Sequence, residues 1–144
     1  MIDSRDEDGA TLVVPTDTDP PPDVVEAWVC AALRELPEPL RLRATLVTLE
    51  LVARARRCPP YVVRLIVLDR RRTLAVSVED CTPASGAEAA DADLTLVAGL
   101  SSRCGVEQRA RARTTWAELA AENGSILLGG PDQPRPRSGD RRAR

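Results

Sequence analysis

Apolar and β-branched residues of this chain are concentrated in short runs that turn-forming residues separate. Residues 61–68 and 73–80 are two such runs, and a polar segment from Asp69 to Arg72 joins them. This arrangement predicts a β-hairpin, here without the glycine that such turns usually carry. The same criteria predict one more strand, which Pro15 ends, and a final hairpin; these elements cover residues 11–14, 106–109 and 114–119.

Three further segments have the apolar spacing of amphipathic helices. The first predicted helix has Asp23 as its N-cap and an apolar face made of Val24, Ala27, Trp28, Ala31 and Ala32. The second covers residues 40–57, and its predicted buried stripe consists of Leu42, Leu46, Leu49 and Ala53. The third ends with Gly105 as its C-terminal cap and contains Leu94, Leu96, Val97 and Leu100.

Length and composition predict a single folded domain with two loose ends. The chain has 144 residues, of which 43% are hydrophobic, enough for one core. Residues 1–9 are acidic and polar, and residues 129–144 are rich in proline, glycine and arginine. Both compositions are typical of disorder, because they bury too little apolar surface to offset the ordering entropy. We therefore predict a domain over residues 10–128, a disordered N-terminus and a disordered basic tail.

The composition excludes several classes of chemistry. The chain contains no histidine, so it cannot form a Ser-His-Asp or Cys-His pair or a histidine metal ligand. Every positive charge is arginine, which we interpret as a coding bias, and no aromatic residue lies among the basic runs, so we expect no nucleic acid partner. The acidic N-terminus and the lack of a long apolar run predict a cytoplasmic protein without a membrane contact.

The four cysteines predict neither a metal site nor a redox pair. They are spaced too widely for paired zinc ligands or for a Cys-x-x-Cys motif. We expect reduced, mostly buried thiols at Cys30, Cys58, Cys81 and Cys104.

Three segments together resemble the GHKL (Bergerat-fold) ATPase domain of anti-sigma serine kinases, sensor histidine kinases and Hsp90-type ATPases. They are Leu49-Glu50-Leu51-Val52-Ala53-Arg54, Val78-Glu79-Asp80-Cys81-Thr82-Pro83 and Asp91-Ala92-Asp93-Leu94. Residues 114–119 are also similar to the last strand of actinobacterial anti-sigma-kinase-like proteins. The resemblance covers residues 10–121. It implies an α/β (α+β) sandwich with three helices on one face of a mixed, mostly antiparallel sheet.

The resemblance assigns Glu50 to the catalytic carboxylate that orients or deprotonates the attacking hydroxyl or water. An ion pair with Arg54, one helical turn later, is an equally weighted structural interpretation of Glu50. Arg54 itself stands where the family has the asparagine that binds Mg²⁺. A guanidinium has donors only and a fixed positive charge, so it cannot bind a cation, although it could clamp a phosphate. We therefore expect no metal site.

The remaining positions of the ancestral ATP pocket are Asp80, Thr82, Asp91 and Asp93. Asp80 matches the carboxylate that accepts a hydrogen bond from adenine, and Thr82 matches the accompanying hydroxyl; alternatively, Asp80 caps its own turn. Asp91 and Asp93 replace the two glycines of the phosphate loop, where carboxylates would repel a polyphosphate. Asp93 has an alternative role as N-cap of the third helix.

These features predict a regulatory protein-binding module without a cofactor. It resembles an anti-sigma factor with a degenerate ATP site, and its expected partner is a sigma factor or an anti-sigma antagonist in transcriptional control. The alternative is an ATP- and Mg²⁺-dependent anti-sigma serine/threonine kinase, with Glu50 as base and Asp80 on adenine. The sequence leaves a homodimer open.

Overall fold

The computed structural model describes residues 2–6, 9–68, 72–84 and 93–121. Six strands are present in this part of the chain: β1 (Ile2–Asp6), β2 (Gly9–Val14), β3 (Tyr61–Leu68), β4 (Thr73–Asp80), β5 (Arg103–Gln108) and β6 (Arg113–Ala120). The helices are α1 (Pro22–Ala32), α2 (Glu38–Ala55) and α3 (Thr95–Leu100).

The strands form one six-stranded sheet in the order β1-β2-β3-β4-β6-β5. Each neighbouring pair of strands is antiparallel. Side chains of β2, β4 and β6 are buried at every second position, as expected when helices cover one face of a sheet. The predicted sandwich of three helices on a mostly antiparallel sheet is confirmed, and its described pairings are antiparallel throughout, not mixed.

The core lies between this face of the sheet and the helices. Its fully buried side chains come from both layers and include Val14, Val29, Leu40, Leu51, Leu65, Val76 and Leu119. Helix α2 packs over β4 and β6, so it lies in the middle of the helical layer between α1 and α3. The central position of α2 brings its C-terminal end to the end of β4, where the sequence predicted the site.

The predicted hairpin over residues 61–68 and 73–80 matches β3 and β4. The segment after α3 differs from the prediction, because Gly105 is not a helix cap but lies in β5 opposite Trp116. A Cβ atom at Gly105 would lie 2.8 Å from Cζ2 of Trp116, so the glycine leaves room for the indole to cross the neighbouring strand. The guanidinium of Arg103 lies 5.7 Å from the centre of the same ring.

The N-terminus differs from the expected disorder over residues 1–9. Ile2–Asp6 forms β1 and pairs with β2, from Ile2 opposite Val13 to Asp6 opposite Gly9. Composition alone missed this strand, because an edge strand is held by backbone hydrogen bonds that do not depend on apolar side chains. The predicted basic tail, residues 129–144, and the end of the predicted domain beyond residue 121 lie outside the described residues.

Two helical predictions were wrong in detail. Asp23 lies inside the first turn of α1, and Pro21 is the N-cap residue. Val25 and Val29 are the buried residues of α1, so its inner face is offset from the predicted one. On α2 most of the predicted buried stripe points outward, since Leu42 and Leu46 are 58% and 51% exposed and Ala53 is exposed; only Leu49 packs, half-buried, against the core. Its buried face carries instead Leu40, Ala44, Val47 and Leu51.

No helix in the described part of the chain is long and apolar enough to cross a membrane. All four cysteines are free thiols. The expectation that they are mostly buried was wrong, because Cys30 and Cys81 are exposed, and Cys58 and Cys104 are half-buried.

Candidate functional site

The predicted site residues that the structure describes meet at one end of the molecule. Helix α2 ends there, the turn after it leads into β3, and β4 returns antiparallel beside β3. The backbone N–H of Cys81 donates to the carbonyl oxygen of Cys58 at 3.0 Å and joins the ends of these elements. The strand β6 starts at the same level, with Arg113 opposite Asp80.

Asp80 forms a buried ion pair with Arg113. The Asp80 residue is 3% exposed and Arg113 is 5% exposed. Nη2 of Arg113 donates to Oδ2 of Asp80 at 3.0 Å, and the backbone N–H of Thr82 donates to Oδ1 at 2.9 Å. Each carboxylate oxygen therefore already accepts a hydrogen bond from the chain itself. The interpretation of Asp80 as the cap of its own turn is confirmed, and Arg113 adds a counter-charge that was not predicted.

The ion pair changes what the Asp80 position offers a ligand. A free carboxylate at a strand end would attract a donor such as an exocyclic amine. Here the negative charge is neutralised by a guanidinium inside the protein, where breaking a buried pair is costly. A ligand donor at Asp80 would therefore meet a carboxylate whose charge is already balanced by Arg113 and whose two oxygens each accept one hydrogen bond from the chain.

The Thr82 residue is fully buried beside this pair. Its carbonyl oxygen accepts a hydrogen bond from Nε2 of Gln108 at 2.9 Å. The segment after Thr82 is also bonded to the β5–β6 connection, because the N–H of Ala84 donates to the carbonyl oxygen of Ala110 at 3.1 Å. Among the described residues, Oγ1 of Thr82 has no hydrogen-bond partner, and neither has Oγ1 of Thr48 on α2. The Thr82 hydroxyl is thus a polar group of the site that the described part of the protein leaves without a hydrogen bond.

Arg54 reaches from α2 to the segment that precedes α3. Its Nη1 donates to the carbonyl oxygen of Asp93 at 3.1 Å. The Arg54 residue is half-buried. The resemblance implies a Mg²⁺ ligand at this position, where Arg54 has a positive charge instead. The donor set around it does not fit a cation, because a guanidinium supplies no lone pair. No group of three or more His, Cys, Asp or Glu suited to a metal occurs in the described ranges.

The carboxylate of Asp93 binds the first residue of α3. Oδ1 accepts hydrogen bonds from Oγ1 of Thr95 at 2.7 Å and from the backbone N–H of Thr95 at 3.1 Å. These two bonds, together with the charge of Arg54, lower the pKa of Asp93 from its usual value. The predicted role as N-cap needs a correction, since the N-cap residue is Leu94. The carboxylate nevertheless binds the first N–H of the helix, the kind of group that a phosphate would use.

The other predicted site residues are less informative. Glu50 is half-buried on α2, one turn before Arg54, so the structure brings it to the same end of the helix. Asp91 lies outside the described residues. Four of the five described positions are thus linked in two bonded pairs, Asp80 with Thr82 and Arg54 with Asp93, while no described contact assigns a catalytic role to Glu50.

Two buried arginines were missed from the sequence. Arg113 shares the inward parity of Thr115, Ala117 and Leu119 on β6, a signal that would have placed it on the core side. Arg43 of α2 is 6% exposed and lies at the opposite end of the helix. Its Nη2 donates to the carbonyl oxygen of Ala120 at 2.8 Å. Burial lowers the pKa of Arg43 from its usual value.

Comparison with known proteins adds no relative. No family model matches the chain, and no curated protein matches it.

Proposed function

We propose that this chain is a regulatory protein-binding module, similar to an anti-sigma factor, with a degenerate ATP site. It acts in the cytoplasm by holding a sigma factor or an anti-sigma antagonist in transcriptional control. No nucleotide or metal takes part in this function. The observation that carries the proposal is the buried ion pair between Asp80 and Arg113, in which Oδ2 and Nη2 lie 3.0 Å apart.

The other contacts at this end of the molecule support the same proposal. Arg54 brings a fixed positive charge to the place of a metal ligand, and it donates to Asp93. Asp93 occupies the first N–H of α3 with its own carboxylate. Asp80, Arg54 and Asp93 are thus each bonded within the chain, and Arg54 also has the wrong charge for a metal ligand. We propose that the chain keeps the frame of a nucleotide-binding domain without the side chains that bind nucleotide, and that it binds its partner through its surface.

Transcription with purified components tests this function. RNA polymerase holoenzymes are assembled with individual sigma factors of the source organism, and the protein is added at equal concentration. We expect lower output from one holoenzyme, with the same inhibition whether or not ATP-regenerating conditions or a nucleotide preincubation are used. Inhibition of no holoenzyme, together with no complex between the protein and an anti-sigma antagonist in sedimentation, would contradict the proposal.

The alternative function is an ATP-dependent anti-sigma serine/threonine kinase. One observation favours it: Oγ1 of Thr82 is buried beside Asp80 and has no hydrogen-bond partner in the described ranges. In that function Thr82 and Asp80 would face adenine and Glu50 would act as the base. Transfer of labelled phosphate from ATP to an antagonist serine, lost in Glu50→Gln, would establish the kinase and overturn the pseudo-ATPase proposal.

A further inference from the structure

Helix α2 is apolar on two opposite faces. Its inner face, with Leu40, Ala44, Val47 and Leu51, is buried in the core. Its outer face carries Leu42, Leu46, Leu49 and Ala53, which we call the outer stripe. A surface helix normally presents polar residues to water, whereas the outer side of α2 exposes two leucines one turn apart, Leu42 and Leu46.

The spacing of the outer stripe is that of a helix pair. Steps of four, three and four residues separate its members, as in the a and d positions of a coiled coil. Leu42 and Leu46 are 58% and 51% exposed, Ala53 is exposed, and Leu49 is half-buried against the core. The stripe therefore runs along the central helix of the layer as a narrow row that a second helix could cover.

The stripe is complementary to itself when a second copy lies antiparallel to it. A two-fold axis between Leu46 and Leu49 sets Leu46 against Leu49 of the partner subunit. The same axis sets the large Leu42 against the small Ala53 of the partner subunit. Such a self-matching patch is what an isologous dimer requires.

Charge at the two ends of α2 favours the same orientation. Glu38 begins the helix and Arg56 follows its last residue, and both are exposed. They are 18 residues apart, which is about five helical turns, so they lie on the same side of the helix. In the antiparallel arrangement Glu38 comes level with Arg56 of the partner subunit. Arg56 already pairs with Asp19 through Nε and Nη2, at 2.8 Å and 2.9 Å, so Glu38 of the partner subunit would share this guanidinium through its Nη1 atom.

We propose that the outer stripe of α2 is the interface of an antiparallel, two-fold homodimer of this chain. This inference does not rest on the proposed function, because it uses no residue of the candidate nucleotide site. An interface built on one helix is at the small end of specific contacts, so we expect a weak dimer, with a dissociation constant on the order of 10 μM.

Sedimentation equilibrium of the full chain over a concentration range from about 1 to about 500 μM tests the dimer. Leu46→Glu places two carboxylates near the two-fold axis, and we expect the dissociation constant to rise at least about tenfold. The matched control is Ile66→Glu on the outer face of β3, where the isoleucine is 40% exposed. It should leave the dimer unchanged. A monomeric wild type, or equal weakening by both variants at unchanged folding, overturns the proposal.

Orientation is tested separately by reversing one charge. Glu38→Arg faces Arg56 of the partner subunit in the antiparallel dimer, so we expect the dissociation constant to rise about threefold to tenfold at low salt. A parallel dimer would bring position 38 against itself and predicts no loss. The control is Glu26→Arg, the same reversal at an exposed position of α1. A dimer that Glu38→Arg leaves intact, or that Glu26→Arg weakens equally, overturns the antiparallel arrangement.

Discussion

The two buried arginines lie near opposite ends of α2 and are held in different ways. Arg113 faces a carboxylate, that of Asp80, at 3.0 Å. Arg43 donates to main-chain carbonyl oxygens, those of Leu100, Ala120 and Ala121, and within the described residues it has no carboxylate partner. At one end the guanidinium neutralises a charge, and at the other it caps the ends of a helix and a strand.

This difference indicates that Asp80 is not present merely to make a buried arginine tolerable. A buried arginine does not need a carboxylate to be tolerated here, since Arg43 is accommodated by carbonyl groups alone. The carboxylate at the end of β4 is therefore matched with its own counter-ion, at the position where the resemblance implies contact with adenine. Removing each arginine in turn tests whether the two guanidinium groups are held in these different ways.

The largest effect is expected for Arg113→Leu. It leaves the Asp80 carboxylate buried without its counter-charge, which should lower the free energy of unfolding by about 3–5 kcal/mol. The double variant Asp80→Leu, Arg113→Leu should recover most of this loss, because both charges are then absent. Urea unfolding of the wild type and the variants measures these differences.

The exposed pair between Arg64 and Glu79 gives a matched control for this substitution. Its atoms are 3.6 Å apart and the Arg64 side chain is 44% exposed. Arg64→Leu should change the free energy of unfolding by no more than about 1 kcal/mol. If Arg113→Leu costs as little as this control, the ion pair with Asp80 is not the structural element that we describe.

A smaller loss is expected for Arg43→Leu. It removes hydrogen bonds to carbonyl groups but leaves no buried charge, so the free energy of unfolding should fall by about 1–3 kcal/mol. Amide exchange near the end of β6 should speed up more than exchange in β3. Arg41→Leu is the control, because the Arg41 side chain is half-buried and also donates to carbonyl oxygens, at 3.1 Å and 2.8 Å. A larger loss for Arg43→Leu than for Arg113→Leu would reverse the comparison.

The smallest effect concerns the titration of Asp93. Because hydrogen bonds from Thr95 lower the pKa of Asp93, its contribution to stability is present above the unfolded pKa and is lost as the pH falls through the folded one. In Thr95→Val the hydroxyl donor is gone, so the pKa of Asp93 should rise towards that of an unperturbed aspartate. Carboxyl NMR titration of both proteins measures it, and identical midpoints would show that the bond to Thr95 does not hold the carboxylate.

The sequence predicted the strands better than the faces of the helices. The runs at residues 61–68 and 73–80 were located because β-branched residues and a polar turn mark a hairpin locally. Helix α2 was assigned the wrong buried face, since its two opposite faces are both apolar and periodicity cannot choose between them. Gly105 was misassigned because its reason, the ring of Trp116, lies on another strand.

The candidate site was also predicted only in part, because local motifs identify residues but not their partners on other strands. Asp80, Thr82, Arg54 and Asp93 were selected by local motifs, and the structure brings them to one end of the sheet. Their bonding partners were not predictable from those motifs. The pairing of Asp80 with Arg113 depends on the register of β4 against β6, which one strand alone does not define.

Calorimetric titration of the wild-type protein with ATP in the presence of Mg²⁺ shows whether this end of the molecule still binds nucleotide. We expect no saturable binding, because Asp80 is paired with Arg113, Arg54 stands at the metal position and Asp93 occupies the first N–H of α3. A one-to-one complex with a dissociation constant near or below about 10 μM, about −7 kcal/mol, would contradict it.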